Sequence, residues 1–83
     1  MIKPIATADS SISDVLYELD VRGLVLLQPS QSMNRNGGVW IIINLEEIQS
    51  RRIFTGEGPY VWEAINSAYE KATTAGLRNS RLS

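Results

Sequence analysis

The sequence predicts a small α+β domain with the element order α-β-β-β-α, and three observations support this fold class. Two segments, one near each end of the chain, have apolar residues at helical spacing. Three short segments between them carry the apolar and β-branched residues of strands. The 83 residues leave room for a single core. We expect a three-stranded antiparallel sheet with two helices packed on one face, because short connections favour antiparallel neighbours.

The first helix is expected to begin after Ser11, which can act as an N-cap, with Asp14 three residues later in a weak capping box. Gly23 should end it, because glycine readily adopts the left-handed conformation that follows helix C-termini. Four apolar residues at i, i+3, i+4 and i+7 should face the core: Ile12, Val15, Leu16 and Leu19.

The first strand is expected over residues 24–28, a short apolar run that Pro29 ends. The polar residues 29–38 finish in asparagine and glycine, so they should form a long hairpin loop. Residues 39–45 contain a tryptophan and three successive isoleucines, the strongest strand signal in the chain. We expect this segment to be the central strand.

The third strand is expected over residues 51–55, and Gly56-Glu57-Gly58 should break it. Pro59 should be the first residue of the second helix, because its φ is preset and it has no amide to leave unbonded. Gly76 should end this helix. Its buried stripe is expected to contain Val61, Ala64, Ile65, Ala68 and Ala72.

These elements place the single domain at residues 11–76. Residues 1–10 are expected to be a flexible N-terminal lead-in, and residues 77–83 a C-terminal tail. The first eight residues have one lysine and no apolar run long enough for a signal peptide. The longest apolar run, residues 39–43, is too short to cross a bilayer. We therefore expect a cytoplasmic protein without a membrane partner.

The composition argues against an enzyme. The chain has no cysteine and no histidine, which removes the commonest metal ligands, the commonest general base and the thiol nucleophile. Glu46 and Glu47 are adjacent at a strand end and point in opposite directions, so they do not form an acid/base pair. We predict no catalytic, metal or cofactor site and identify no small-molecule substrate.

The central strand predicts a protein-binding surface. Its residues are apolar on both faces: Val39, Ile41, Ile43 and Leu45 point one way, Trp40 and Ile42 the other, and Asn44 is the polar exception. If both helices cover the first set, an open face containing Trp40, Ile42 and Asn44 remains for a host protein or a second copy of the chain. Alternatively, the helices are split between the two faces, or the N-terminal segment with Ile2 and Ile5 covers the patch.

Positive charge in the second half of the chain favours an alternative, a nucleic-acid-binding surface. This surface would use Arg51, Arg52, Lys71, Arg78 and Arg81. The formal net charge of -1 disfavours it, because proteins that bind nucleic acid mainly through phosphates are usually strongly basic.

The order α-β-β-β-α and the segment Thr55-Gly56-Glu57-Gly58 before the last helix resemble the double-stranded RNA-binding domain, which has a Gly-x-Gly turn there. That family places lysines at the start of its last helix, where this chain has Pro59-Tyr60-Val61-Trp62-Glu63. The resemblance implies a related fold, but the absence of these lysines removes the main support for RNA binding.

A second resemblance is to small α/β sandwich proteins encoded by phages and prophages, the phage ABA sandwich domains. It is carried by the helix start Ser11-Ile12-Ser13-Asp14-Val15-Leu16, by a strand with a tryptophan like Trp40, and by a Thr-Gly…Pro…Ala-Ile…Ala segment like residues 55–68. This resemblance implies a non-enzymatic accessory or inhibitor protein of a phage or mobile element that acts by binding a host component.

Overall fold

The computed structural model describes residues 4–33 and 38–76. They form two helices, α1 (Ile12–Val21) and α2 (Val61–Ala75). The strands are β1 (Leu24–Leu26), β2 (Ser30–Met33), β3 (Val39–Glu47) and β4 (Ile53–Gly58), and all paired strands are antiparallel. The predicted α+β class, with two helices and an antiparallel sheet, is confirmed.

The central strand is β3, as the sequence predicts. Leu45 has partners in both β1 and β4, and Ile42 has partners in both β2 and β4. A strand has only two edges, so β1 and β2 share the edge of β3 that lies opposite β4. The sheet is therefore three strands wide, and its first strand is interrupted.

A β-bulge accounts for the interruption. Leu26 of β1 pairs with Leu45, and Ser30 of β2 pairs with Ile42. The chain therefore advances four residues from β1 to β2 while β3 advances only three, which is the extra residue of a bulge. Pro29 lies within this bulge, where a residue without an amide hydrogen is tolerated.

The predicted loop over residues 29–38 is wrong at its start, because Ser30–Met33 is strand β2. The side chains of Ser-Gln-Ser give no strand signal, but pairing with β3 uses only backbone groups, which do not depend on apolar side chains. Residues 34–37 lie outside the described part.

Two other boundaries also differ from prediction. Strand β4 continues through both glycines to Gly58, and α2 begins at Val61 after an extended Tyr60 instead of at Pro59. The glycines keep their partners on β3, so they do not break the strand.

Both helices pack on one face of the sheet. Ile43 and Leu45 of β3 are fully buried there, in one cluster with residues from both helices. The members of this core are Ala6, Val15, Leu19, Leu24, Ile43, Leu45, Ala64, Ile65, Ala68 and Ala72. The alternative in which the helices are split between the two faces is wrong.

Helix α2 lies directly on the backbone of β4. A Cβ atom added at Gly56 would lie 2.2 Å from the amide nitrogen of Ala68 and 2.3 Å from the carbonyl oxygen of Ala64. The helix can approach so closely because the strand contributes a glycine and the helix contributes alanines at this point.

The predicted ends of α1 are confirmed. The Ser11 hydroxyl accepts a hydrogen bond from the amide of Asp14 (3.1 Å), and Gly23 follows the helix with a φ of 78°. Its predicted buried stripe is half wrong: Val15 and Leu19 are buried, but Ile12 and Leu16 are exposed. Helix α1 packs on β1, and α2 packs on β3 and β4, so α2 leaves these two side chains uncovered.

The N-terminal segment is attached to α2 through Asn66. Its Oδ1 accepts hydrogen bonds from the amides of Ile5 and Ala6 (both 2.9 Å), and its Nδ2 donates to the Ala6 carbonyl (2.7 Å). Ala6 is buried, and Ile5 packs against the core between helices and sheet. The alternative in which the N-terminal segment covers the open face is therefore wrong for Ile5, and Ile2 lies outside the described residues.

Candidate protein-binding face

The open face is the side of the sheet that carries no helix. Cross-strand partners point to the same side of a sheet, so the pairings of β3 define its members. Across the face, Glu46 lies between Val25 and Ile53, Asn44 is paired with Thr55, and Ile42 lies between Ser30 and Glu57. Trp40 is the next β3 residue on this side. The structure therefore brings the three predicted residues, Trp40, Ile42 and Asn44, onto one surface that neither helix covers.

Two apolar residues from the flanking strands belong to the same surface. The side chains of Val25 and Ile53 are 41% and 51% exposed, whereas Trp40 and Ile42 are partly exposed. The face on which Ile53 lies depends on the register between β3 and β4, which has no signal in the local sequence.

Asn44 lies at the centre of the open face, where its Oδ1 accepts a hydrogen bond from the Thr55 hydroxyl (2.6 Å). Among the described residues the Nδ2 group of Asn44 has no partner, which leaves two N–H donors available between Ile42 and Glu46. The face therefore offers directional hydrogen bonding as well as apolar contact.

The two carboxylates of this face lie at its margins: Glu46 is in the end row beside the β3–β4 turn, and Glu57 is on the edge strand β4. Glu46 pairs with Arg51 at 3.1 Å, and Glu57 is exposed beside Ile42. Arg51 has a left-handed backbone conformation (φ 64°) in the turn between β3 and β4. This Arg51–Glu46 pair is solvated, with 77% of the arginine side chain exposed.

Two of the predicted nucleic-acid-binding residues contact other parts of the chain. The guanidinium of Arg52 binds the carboxylate of Glu47, which is fully buried, and donates to the Gly76 carbonyl (2.6 Å). The ammonium of Lys71 donates to the Thr55 carbonyl (2.7 Å). Arg78 and Arg81 lie outside the described residues.

Glu47 is the buried acidic group that sequence reasoning missed. Its Oε1 accepts hydrogen bonds from the Ser50 hydroxyl and from Nε of Arg52 (2.9 Å), and the Arg52 guanidinium also lies over the Phe54 ring at 5.2 Å. Alternation along β3 places Glu47 on the core side, which is the signal that could have identified it.

Arg22, at the end of α1, connects the two helices. Its Nε donates to the Tyr69 hydroxyl (2.9 Å), and its Nη1 donates to the Glu18 carboxylate (2.6 Å). Burial alone would lower the pKa of the Arg22 guanidinium, but the bonds to Glu18 and Tyr69 outweigh it and raise that pKa above its usual value. Arg22 therefore keeps its charge and is engaged within the fold.

Comparison with protein-family models, with curated proteins and with solved structures finds no match. The resemblances to phage α/β sandwich proteins and to the double-stranded RNA-binding domain therefore stay predictions. Within the described ranges, no helix is long and apolar enough to cross a membrane. Those ranges also hold no group of three or more aspartate or glutamate side chains suited to a metal ion.

Proposed function

We propose that this chain is a non-enzymatic protein-binding accessory or inhibitor module, and that its open sheet face contacts a host protein. One observation carries the proposal: both helices lie on the opposite face, so the Trp40 side of the central strand has no cover from either helix. The resemblance to phage sandwich proteins supports a phage or mobile-element origin.

The composition of the open face suits a non-obligate protein interface. Such interfaces mix apolar and hydrogen-bonding groups, are enriched in tryptophan, and carry their charges at the rim. Here Trp40 and Ile42 share the face with the hydrogen-bonding Asn44, the carboxylate of Glu46 lies in the end row, and that of Glu57 lies on the edge strand β4.

Site-specific photo-crosslinking tests this proposal. We would replace Ile53 with the photo-reactive amino acid p-benzoylphenylalanine, irradiate the protein in host lysate, and identify the adducts by mass spectrometry. Val39 provides the matched control, because it is 52% exposed, close to the 51% of Ile53, but points to the helix side of the sheet. We expect a discrete protein adduct from position 53 and none from position 39.

The substitution Trp40→Asp in the same protein should abolish the adduct, while the circular dichroism spectrum stays that of the folded domain. Equal adducts from both positions, or an adduct insensitive to Trp40→Asp, would contradict the proposal. An adduct of the chain with itself would identify a second copy as the partner. An adduct that nuclease removes would favour the nucleic-acid alternative.

A further inference from the structure

A second apolar surface lies on the other side of the molecule, between the N-terminal ends of the two helices. It is a groove of about 210 Å³ that residues 6–10, α1 and α2 enclose. Ile12 and Val15 of α1 form one wall, and Val61, Trp62 and Ile65 of α2 form the other. The groove is separate from the open face, because the sheet lies between them.

The apolar side chains that form the walls of this groove are more exposed to solvent than the apolar side of a packed helix usually is. Ile12 is 56% exposed, Val61 is 43% exposed, and Leu16 continues the apolar surface one turn further along α1. The Tyr60 and Trp62 rings are nearly parallel, with centroids 6.1 Å apart. A contiguous exposed apolar surface of this kind is typical of an interaction site.

The charged residues that adjoin the groove lining in the sequence are acidic. Asp9, Asp14 and Glu63 each lie within two residues of a residue that lines it, and the described part of the chain gives none of them an ion pair. No lysine or arginine occurs in residues 4–21 or 53–70. Each helix N-terminus adds only about +0.5 charge, so three carboxylates outweigh the two helix ends.

The described arginines lie at the opposite end of the sheet. Arg22 follows α1, and Arg51 and Arg52 adjoin the turn between β3 and β4. All three arginines have an acidic partner. The acidic end is therefore left without a compensating charge from this part of the chain, and the complementary partner is cationic.

We propose that this groove binds a cationic amphipathic helix of a partner protein. A bulky aliphatic side chain of that helix would enter the groove between Ile12 and Val61, and flanking lysines or arginines would face Asp9, Asp14 and Glu63. A helix fits because Ile12 and Leu16 form an i, i+4 ridge, against which a second helix can pack. This proposal does not depend on the function of the open face.

The probe is a synthetic 14-residue peptide of leucine and lysine in a helical amphipathic pattern, titrated into the ¹⁵N-labelled full chain by NMR. We expect the largest shift changes at the amides of Ile12, Leu16 and Val61. A serine/lysine peptide of the same length and charge separates electrostatic attraction from groove binding, and it should bind at least tenfold more weakly.

Val61→Lys is the test substitution, and Val25→Lys is its matched control, since the two valines are 43% and 41% exposed on opposite sides of the molecule. Val61→Lys should weaken the binding of the leucine/lysine peptide about tenfold, and Val25→Lys should leave it unchanged. Asp9→Asn with Asp14→Asn, which leaves the apolar walls intact, should weaken binding several-fold at low salt.

Three results would overturn the proposal. The first is equal binding of both peptides, which would show attraction to acidic groups alone. The second is a set of shift changes centred on Trp40 and Ile42 on the open face. The third is equal binding to the Val61→Lys and Val25→Lys proteins, provided that both give the dispersed NMR spectrum of a folded chain.

Discussion

Arg52 bridges the buried carboxylate of Glu47 and the carbonyl of Gly76, with Nη2 2.7 Å from Glu47 Oε1 and 2.6 Å from the Gly76 oxygen. Glu47 ends β3, and Gly76 follows the last turn of α2. One guanidinium therefore neutralises a buried charge and attaches the end of the C-terminal helix to the end of the central strand.

Arg52→Met should destabilise the domain by roughly 3 kcal/mol, because it leaves the Glu47 carboxylate buried without its cation. Urea unfolding followed by circular dichroism measures this loss. Arg51→Met is the matched control, since its pair with Glu46 is 77% exposed on the arginine side and should contribute little. Equal losses of unfolding free energy for the two variants would show that the burial of Glu47 does not determine how much Arg52 stabilises the domain.

Gly56→Ala should displace α2 or unfold the domain, at a cost of about 3 kcal/mol or more, because the new methyl would overlap backbone atoms of Ala64 and Ala68. Backbone atoms cannot move aside as a flexible side chain can. Gly58→Ala is the control on the same strand, where the nearest atom is Cβ of Glu63 at 3.1 Å. Its cost should be smaller, and thermal unfolding of the two variants gives the comparison.

Asn66→Ala should release the N-terminal segment and cost about 2 kcal/mol, because three hydrogen bonds to Ile5 and Ala6 are lost. Hydrogen exchange at these two amides should become much faster, while exchange in β3 stays slow. Ser67→Ala, next to Asn66 on α2, should leave both amides protected. Unchanged exchange at Ile5 and Ala6 in Asn66→Ala would contradict the assignment.

Lys71→Ala should increase self-association through the edge of β4. The Glu47 amide donates to the Arg52 carbonyl, so these two residues form a hydrogen-bonded pair between β3 and β4. Such pairs alternate along an antiparallel ladder, so the N–H and C=O groups of Ile53, Thr55 and Glu57 point away from β3, to the outer edge of the sheet. The Lys71 ammonium donates a hydrogen bond to the Thr55 carbonyl at this edge, and a lysine at a sheet edge opposes pairing with another strand.

Thioflavin T fluorescence and light scattering at equal protein concentration measure this effect. We expect faster aggregation of Lys71→Ala than of the parent, and little change for Lys71→Arg, which keeps the charge. Slower or equal aggregation of Lys71→Ala would show that α2 alone protects this edge.

Local signals in the sequence determined most of the elements. Ser11 and Gly23 define the ends of α1, because capping and positive φ depend on one or two residues. Alternation along residues 39–45 correctly separated Trp40 and Ile42 from the core side chains, because side-chain direction follows the strand period of two. The sequence thus predicted the fold class and the three β3 residues of the candidate face.

The tertiary structure decided everything that depends on the distance between elements. The helical period placed Ile12 and Val61 on apolar stripes, but the positions of the two helices over the sheet left both exposed in the groove. Ser30–Met33, whose first three residues are polar, forms a strand because β3 supplies backbone hydrogen-bonding partners for it. Alternation indicates the side of β3 on which Glu47 lies, but its burial as a charged group depends on the turn after β3, which brings Arg52 and Ser50 beside its carboxylate.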